Sequence, residues 1–170
     1  LMGFGYIQNK SLLAFDDVNP LQINNTSFSK RYFGFTENAF FLSQNFKIIP
    51  GLRADYDTEL SKLYLQPRLS TSYKFSSSFK MTASWGIYHQ FITYNRLVDD
   101  EGNTRFQWTV SDGNIIPVYK AQHWVTGAAF EQSGLSLNAD FYYKTTDGLT
   151  RFVRNMFKLC ARQTRQLKDR

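Results

Sequence analysis

The stretch from Leu63 to Phe91 constrains the fold of this chain more than any other. Apolar residues alternate with polar or small ones as far as Phe75, and the alternation restarts after Ser76 to Ser78. Successive side chains of a strand point to opposite faces, so a period of two predicts strands rather than helices. Each predicted strand has about 13 residues, whereas globular strands have roughly 5–6 and membrane-spanning strands about 9–11. Two long strands joined by a minimal turn are the repeating unit of an antiparallel, up-and-down transmembrane β-barrel.

The same alternation continues along the chain. It predicts further strands over residues 4–15, 31–43, 46–56, 121–131 and 135–146, which makes about 7–8 long strands in all. The predicted connections are short at 44–45, 76–78 and 132–134, and longer at 57–62 and 92–120, where 105–110 forms a short excursion strand. Outer-membrane barrels have short periplasmic turns and longer external loops. The sequence therefore places Ser76 to Ser78 at the periplasmic end and residues 92–120 outside the cell.

Composition agrees with an all-β membrane protein. No apolar run approaches the 18 residues of a membrane-spanning helix, and aromatic residues make up 17% of the chain, which suits strands and interfacial girdles. The candidate girdle residues are Tyr6, Tyr32, Tyr56, Tyr73, Trp85, Tyr88, Trp124 and Tyr143.

The net charge of +6 lies entirely in the last 20 residues. Residues 1–150 hold 13 basic and 13 acidic side chains, so they have no basic face for nucleic acid. We expect 1–150 to form a β-barrel segment and 151–170 to form a basic tail, irregular or helical, outside the barrel. Three interpretations of the tail stay open: a surface helix on anionic lipid, a nucleic-acid arm, or a non-native end that replaces the next strand.

Candidate chemistry is sparse. The chain has one cysteine, Cys160, and two histidines, His89 and His123, at predicted strand ends, and it lacks phosphate-loop, nucleophile-elbow and zinc-protease motifs. We therefore predict no catalytic residue, no metal site and no cofactor. Loops on a rigid scaffold often carry recognition, and the long external loop offers charged and aromatic candidates for ligand binding: Tyr94, Arg96, Asp99, Arg105 and Trp108.

Four ordered segments resemble the barrel of TonB-dependent outer-membrane receptors. Residues 50–56 (Pro-Gly-Leu-Arg-Ala-Asp-Tyr) are similar to the recurrent Gly-Leu-Arg-x-Asp strand of that family, and 65–73 to its Pro-Arg-x-Ser-x-x-Tyr strand. Residues 80–91 are similar to its Lys-x-x-Gly/Ala-Ser-Tyr/Trp-Gly strand, and Gly127 with 135–143 to the strand pair that follows. The resemblance covers about residues 33–150.

The resemblance implies part of a 22-stranded barrel with an N-terminal plug in a Gram-negative outer membrane. Its partners would be outer-membrane lipid, the TonB complex and a small-molecule or glycan ligand, such as an iron-siderophore, cobalamin or a glycan. No signal peptide begins the chain, so we expect a fragment of a longer protein. The alternatives are a complete small barrel of eight strands with a binding or structural role, and an enzyme on such a barrel, which requires Ser, His and a carboxylate at one rim.

Overall fold

The computed structural model describes residues 1–13, 25–98, 104–114, 116–148, 150–155 and 158–163. Regular structure within these ranges is all strand: β1 (Met2–Leu13), β2 (Asn25–Glu37), β3 (Phe40–Phe41), β4 (Phe46–Asp57), β5 (Lys62–Lys74), β6 (Phe79–Gln90), β7 (Ile92–Val98), β8 (Thr104–Val110), β9 (Tyr119–Gln132), β10 (Leu135–Asp147), β11 (Thr150–Asn155) and β12 (Lys158–Gln163). A helix long and apolar enough to cross a membrane does not occur in these ranges.

Seven long strands form one antiparallel sheet in the order β1-β2-β4-β5-β6-β9-β10. Neighbours in the sheet are neighbours in the sequence, apart from the short β3, which pairs with β4, and the β7–β8 hairpin, which is inserted between β6 and β9. This up-and-down order confirms the predicted all-β, antiparallel class. The two central strands, predicted at 63–75 and 79–91, are Lys62–Lys74 and Phe79–Gln90.

The second predicted strand was wrong at both ends. Backbone pairing with β1 extends β2 back to Asn25, opposite Leu13, although the residues before Arg31 were not predicted as strand. A neighbouring strand thus overrides local turn propensity. At the other end β2 stops at Glu37, and only Phe40 and Phe41 resume pairing, with β4.

Two prolines lie within the sheet at points where ladders end. Pro50 on β4 faces the break between β2 and β3, and its carbonyl accepts a hydrogen bond from the Asn38 amide at 3.2 Å. Pro67 on β5 directly precedes Arg68, the first residue of β5 that pairs with β6. A proline has no amide hydrogen to donate. Both prolines therefore lie where pairing with one neighbouring strand is interrupted, so that a backbone donor is not required there.

The sheet has an apolar, exposed face and a polar, buried face. The apolar side chains of β4 and β5, from Tyr56 through Leu63 and Leu65 to Tyr73, are exposed. The opposite side of the same strands carries Asp55, Asp57 and Gln66, all buried. We call the side with Asp55 the inner face and the side with Leu65 the outer face. The predicted alternation is therefore confirmed, with polar groups inside.

The long connection 92–120 contains a complete hairpin. Its second strand, β8, confirms the predicted excursion strand, whereas its first strand, β7, was not predicted. Residues of β8 contact β1 and β2, and the Val110 amide donates to Ser11 Oγ at 3.1 Å. The hairpin therefore reaches from the end of β6 back to the far edge of the sheet.

The tail differs from its prediction in the part that the structure describes. Residues 150–155 and 158–163 pair as the antiparallel hairpin β11–β12, from Thr150 opposite Gln163 to Asn155 opposite Lys158, so the expected irregular or helical structure is wrong there. Charge alone does not select a helix, and aromatic or β-branched residues such as Phe152 and Val153 favour strands. That 151–170 lies outside the barrel stays a prediction.

The two ends of the sheet are open edges. Among the described residues, β1 pairs only with β2 and β10 only with β9. Leu135 to Lys144 on β10 are exposed on both faces. The described strands thus do not show the closed eight-stranded barrel of the alternative interpretation.

Candidate functional site

Three aromatic side chains form an exposed patch on the β7–β8 hairpin. Tyr94 on β7 lies opposite Trp108 on β8, with 4.9 Å between ring centres. Phe106 stacks on Tyr94 at 5.4 Å with 12° between the ring planes. All three are more than half exposed. A flat aromatic surface of this kind can bind a planar or apolar ligand.

The structure brings together two of the five predicted ligand residues. Tyr94 and Trp108 are direct neighbours in the patch. The backbone of Arg96 lies opposite Phe106, and that of Arg105 opposite Leu97, but the structure does not describe the side chains of these two arginines. Asp99 lies outside the described residues. The ligand role of all five stays a prediction.

A cleft of about 570 Å³ lies between the hairpin and the edge of β1. Trp108 connects it to the aromatic patch. The residues that give the cleft its chemistry are Asn9, Ser11, Arg31, His89, Phe91 and Trp108. The cleft therefore combines polar and basic groups of the sheet with aromatic groups at the hairpin.

Behind the cleft, Asp55 holds together a buried polar network. Its carboxylate accepts two hydrogen bonds from Arg53, from Nε at 2.7 Å and from Nη2 at 2.8 Å, and a third from Gln66 Nε2 at 2.7 Å. Bidentate pairing of this kind is strong and directional. Asp55 is 0% exposed, so its charge is stabilised by these donors and not by solvent.

Gln66 links three neighbouring strands. Its side-chain nitrogen donates to Asp55 on β4, while its Oε1 accepts from the His89 amide on β6 at 3.4 Å. This contact lies beyond the last β5–β6 backbone pair, so a side chain replaces the ladder where β6 leaves β5. The end of β6 is thereby positioned to carry the hairpin over the inner face.

A second buried carboxylate organises the adjacent β4–β5 turn. Asp57 accepts from Ser29 Oγ at 2.9 Å and from the amides of Glu59 and Leu60 at 3.0 and 3.1 Å. The turn then packs Leu60 close to Gly113, the glycine of the loop after β8. The end of the sheet from which the hairpin extends is thus fixed by side-chain hydrogen bonds as well as by strand pairing.

Sequence reasoning missed Arg31, Phe91 and Asn9 as cleft residues. Alternation predicts the strand over 46–56 but cannot bring residues of β1, β2 and β6 to one cleft. The Arg31 guanidinium lies 4.0 Å from the centre of the Phe91 ring, and Tyr64 packs edge-on against the same ring at 4.9 Å. An arginine and a phenylalanine sixty residues apart carry no local signal of such a contact.

The two histidines lie in separate aromatic surroundings on the sheet. His89 contacts Tyr64, with 5.2 Å between ring centres, and His123 lies between Tyr88 and Tyr142 at 4.8 and 5.8 Å. The described part of the chain contains no group of three or more metal-ligating side chains.

Tyr88, a candidate girdle residue, lies beside Arg68, whose guanidinium is 4.9 Å from the centre of the tyrosine ring.

Comparison with known proteins identifies the architecture. The family model described as TonB dependent receptor-like, beta-barrel, matches residues 1–162. The structure is similar to the crystal structure of the siderophore receptor PirA from Pseudomonas aeruginosa, with a TM-score of 0.66 and 11% sequence identity. That match covers 96% of this chain and 37% of the PirA chain, so the chain spans little more than a third of that receptor. No curated protein matches the sequence significantly.

Proposed function

Because the chain belongs to the TonB-dependent receptor family, where it matches the β-barrel domain, we propose that it takes part in nutrient uptake across a Gram-negative outer membrane. The family is one of outer-membrane transporters and receptors. The observation that carries the proposal for this chain is the reversal of its two faces, with Asp55 and Gln66 buried inside and Leu63 and Leu65 exposed outside. A wall between lipid and a polar lumen requires this distribution.

The outer face has the height of a membrane. Phe46 and Tyr56 begin and end its apolar surface on β4, ten residues apart, which is about 33 Å along a strand at roughly 3.3 Å per residue. A strand tilt of about 40° reduces this to about 25 Å, the height of the apolar band in outer-membrane barrels. We propose that this band contacts lipid.

Aromatic rows border the band at both ends. At one end Tyr6 contacts Tyr32 at 5.1 Å, and Tyr32 lies opposite Tyr56 in the register. At the other end, aromatic rings cluster around the short turns: Phe46, Tyr73, Phe75 and Phe79. Aromatic girdles mark the two membrane interfaces of outer-membrane barrels. The two aromatic rows therefore support the proposed position of the sheet in the membrane.

The connections support an orientation. Bends at 42–45 and 75–78 and the turn at Ser133 and Gly134 lie at one end, while the β7–β8 hairpin extends from the other. We place the short turns in the periplasm and the hairpin outside. The patch of Tyr94, Phe106 and Trp108 then faces arriving ligand.

Among the three nutrient classes we favour an iron-siderophore, driven by the TonB complex. The similar solved structure is named as a siderophore receptor, and an exposed aromatic patch beside a basic cleft suits a ligand with planar, oxygen-rich groups. Cobalamin and glycans are the competing classes. Arg96, Asp99 and Arg105 complete the proposed external site.

The test is uptake by cells that produce the full-length receptor carrying this chain. Radiolabelled ferric siderophores, cobalamin and maltodextrins are supplied to cells with and without a functional TonB complex. We expect TonB-dependent uptake of a siderophore, and at least a tenfold loss of apparent affinity in the double variant Tyr94→Ala/Trp108→Ala.

A matched control is Phe75→Ala, which removes an equally exposed ring at the opposite end of the sheet and should leave uptake unchanged. Uptake of cobalamin or a glycan alone would overturn the choice of nutrient. Uptake of none of the three, by a receptor that reaches the outer membrane, would overturn the proposed function.

A further inference from the structure

We propose that Arg31 and Asn9 form an anion-binding subsite in the cleft, which selects ligands carrying a carboxylate or another anionic oxygen group. The inference rests on the proposed function, since it assigns a ligand chemistry to the external site of a receptor. Both anion-binding residues lie on the sheet, and Trp108 of the hairpin lines the same cleft.

Arg31 makes only a long ion pair in the part of the chain that the structure describes. Its side chain is 11% exposed, and its nearest carboxylate oxygen is Asp55 Oδ1, at 3.7 Å from Nη1. Arg53 and Gln66 already bind that carboxylate at 2.7–2.8 Å. The short hydrogen bonds of Asp55 therefore go to Arg53 and Gln66. Asp57, the second buried carboxylate near Arg31, accepts its hydrogen bonds from Ser29 and from the amides of Glu59 and Leu60.

Two donor atoms of the cleft residues are left without an acceptor. Among the described residues, neither Nε of Arg31 nor Nδ2 of Asn9 has a hydrogen-bond partner, and both atoms are buried. Buried polar groups are normally paired, and a buried cation needs compensating negative charge. These two unpaired donors, one of them on a guanidinium whose carboxylate contact is long at 3.7 Å, match the acceptor oxygens of a carboxylate or phosphate group.

Aromatic neighbours hold the Arg31 side chain in place for this role. Its guanidinium lies 4.0 Å from the centre of the Phe91 ring, and Phe91, only 2% exposed, is held in turn by Tyr64. A cation stacked on a ring still has its edge donors for hydrogen bonds. Trp108 lines the same cleft and can contact an apolar part of the ligand.

The geometry therefore points to a small molecule that joins an anionic oxygen group to a flat apolar part. The anion would lie against Arg31 and Asn9, and the flat part against Trp108. Because the free donor atoms are covered in this structure, binding requires a local rearrangement of the cleft that exposes them.

The test uses matched probes on outer-membrane vesicles that contain the full-length receptor. Benzoate and benzamide share a ring and differ in charge, and inorganic phosphate supplies the anion alone. We expect calorimetric titration to show benzoate binding at least tenfold more tightly than benzamide. Arg31→Met should abolish that preference, and Arg31→Lys should keep part of it.

Lys30→Gln is the matched control, because it removes the same charge from the neighbouring position of β2, where the side chain is exposed; it should leave the preference intact. Asn9→Asp keeps the side-chain size but replaces the donor by a carboxylate, and it should weaken benzoate binding without weakening benzamide binding. This variant keeps the inference testable if Arg31→Met does not fold. Phosphate that competes with benzoate would place the anion itself in the subsite.

Equal binding of benzoate and benzamide by the wild-type receptor would overturn the inference, as would a preference that survives both Arg31→Met and Asn9→Asp. Either result would leave the proposed uptake function standing if the hairpin variant still loses uptake. Loss of TonB-dependent uptake altogether, with the benzoate preference intact, would instead remove the proposed function.

Discussion

The inner and outer faces of β4 and β5 differ in the opposite sense to those of a water-soluble sheet. The inner face buries Asp55, Asp57 and Gln66, and the outer face exposes leucine and tyrosine side chains. In a water-soluble protein the apolar side chains would be the buried ones. The comparison shows that specific hydrogen bonds fix the inside of this wall, whereas the outside needs only an apolar surface.

The largest expected effect comes from the inner face. Asp55→Leu removes the carboxylate that pairs with Arg53 and faces Arg31, and leaving buried cations unpaired costs about 3–5 kcal/mol. Ala54→Leu introduces the same side chain at the adjacent outer position and should change the free energy of unfolding by less than about 1 kcal/mol. Denaturant titrations of the lipid-embedded protein measure both. Similar costs for the two variants would remove the distinction between the faces.

The next effect comes from placing a charge on the outer face. Leu69→Arg should cost about 2–4 kcal/mol if this mid-strand position meets lipid. Ser70→Arg, one residue further along β5 on the inner face, should cost much less. The measurement is a refolding titration into lipid. Equal losses would contradict the assignment of inside and outside.

A smaller effect distinguishes the faces by packing. A Cβ atom at Gly5 would lie 2.6 Å from the Phe33 ring, and the Arg53 guanidinium lies 4.1 Å from the centre of that ring. We expect Gly5→Ala to cost about 1–3 kcal/mol by overpacking. At Gly34 the nearest atom would be 3.9 Å away, so Gly34→Ala should be neutral or slightly stabilising. Thermal unfolding of the two variants gives the comparison, and a Gly5→Ala protein as stable as Gly34→Ala would show that the inner face tolerates added volume.

The sequence predicted the features that depend on local pattern. Alternation located the central strands to within a residue or two, because one face of each strand is apolar over most of its length. The prediction of the short turns at 76–78 and 132–134 was close for the same reason. It was least accurate around Asn25 and Asn38, where pairing with a neighbour decides the strand ends.

The candidate site was less predictable than the sheet. Trp108 and Tyr94 stood out because they are aromatic residues in a long loop, and the structure pairs them. Strand β7 was missed because a short run of mixed residues looks the same as a loop when its partner is not known. The meeting of Arg31, Asn9 and Phe91 depends on how the hairpin crosses the sheet, and no sequence spacing encodes it.

The central claim is that the outer face of the wall meets lipid, and a nitroxide scan along β5 tests it most directly. Single cysteines from Leu63 to Lys74, in a Cys160→Ser background, are spin-labelled in outer-membrane vesicles of the full-length protein. Exposure to oxygen dissolved in lipid is then compared with exposure to a water-soluble nickel complex. We predict a period of two, with high oxygen exposure at Leu63, Leu65, Leu69 and Tyr73 and low oxygen exposure at Gln66, Arg68 and Ser70. Oxygen exposure that is uniform along the strand, or highest at Gln66 and Ser70, would contradict the account.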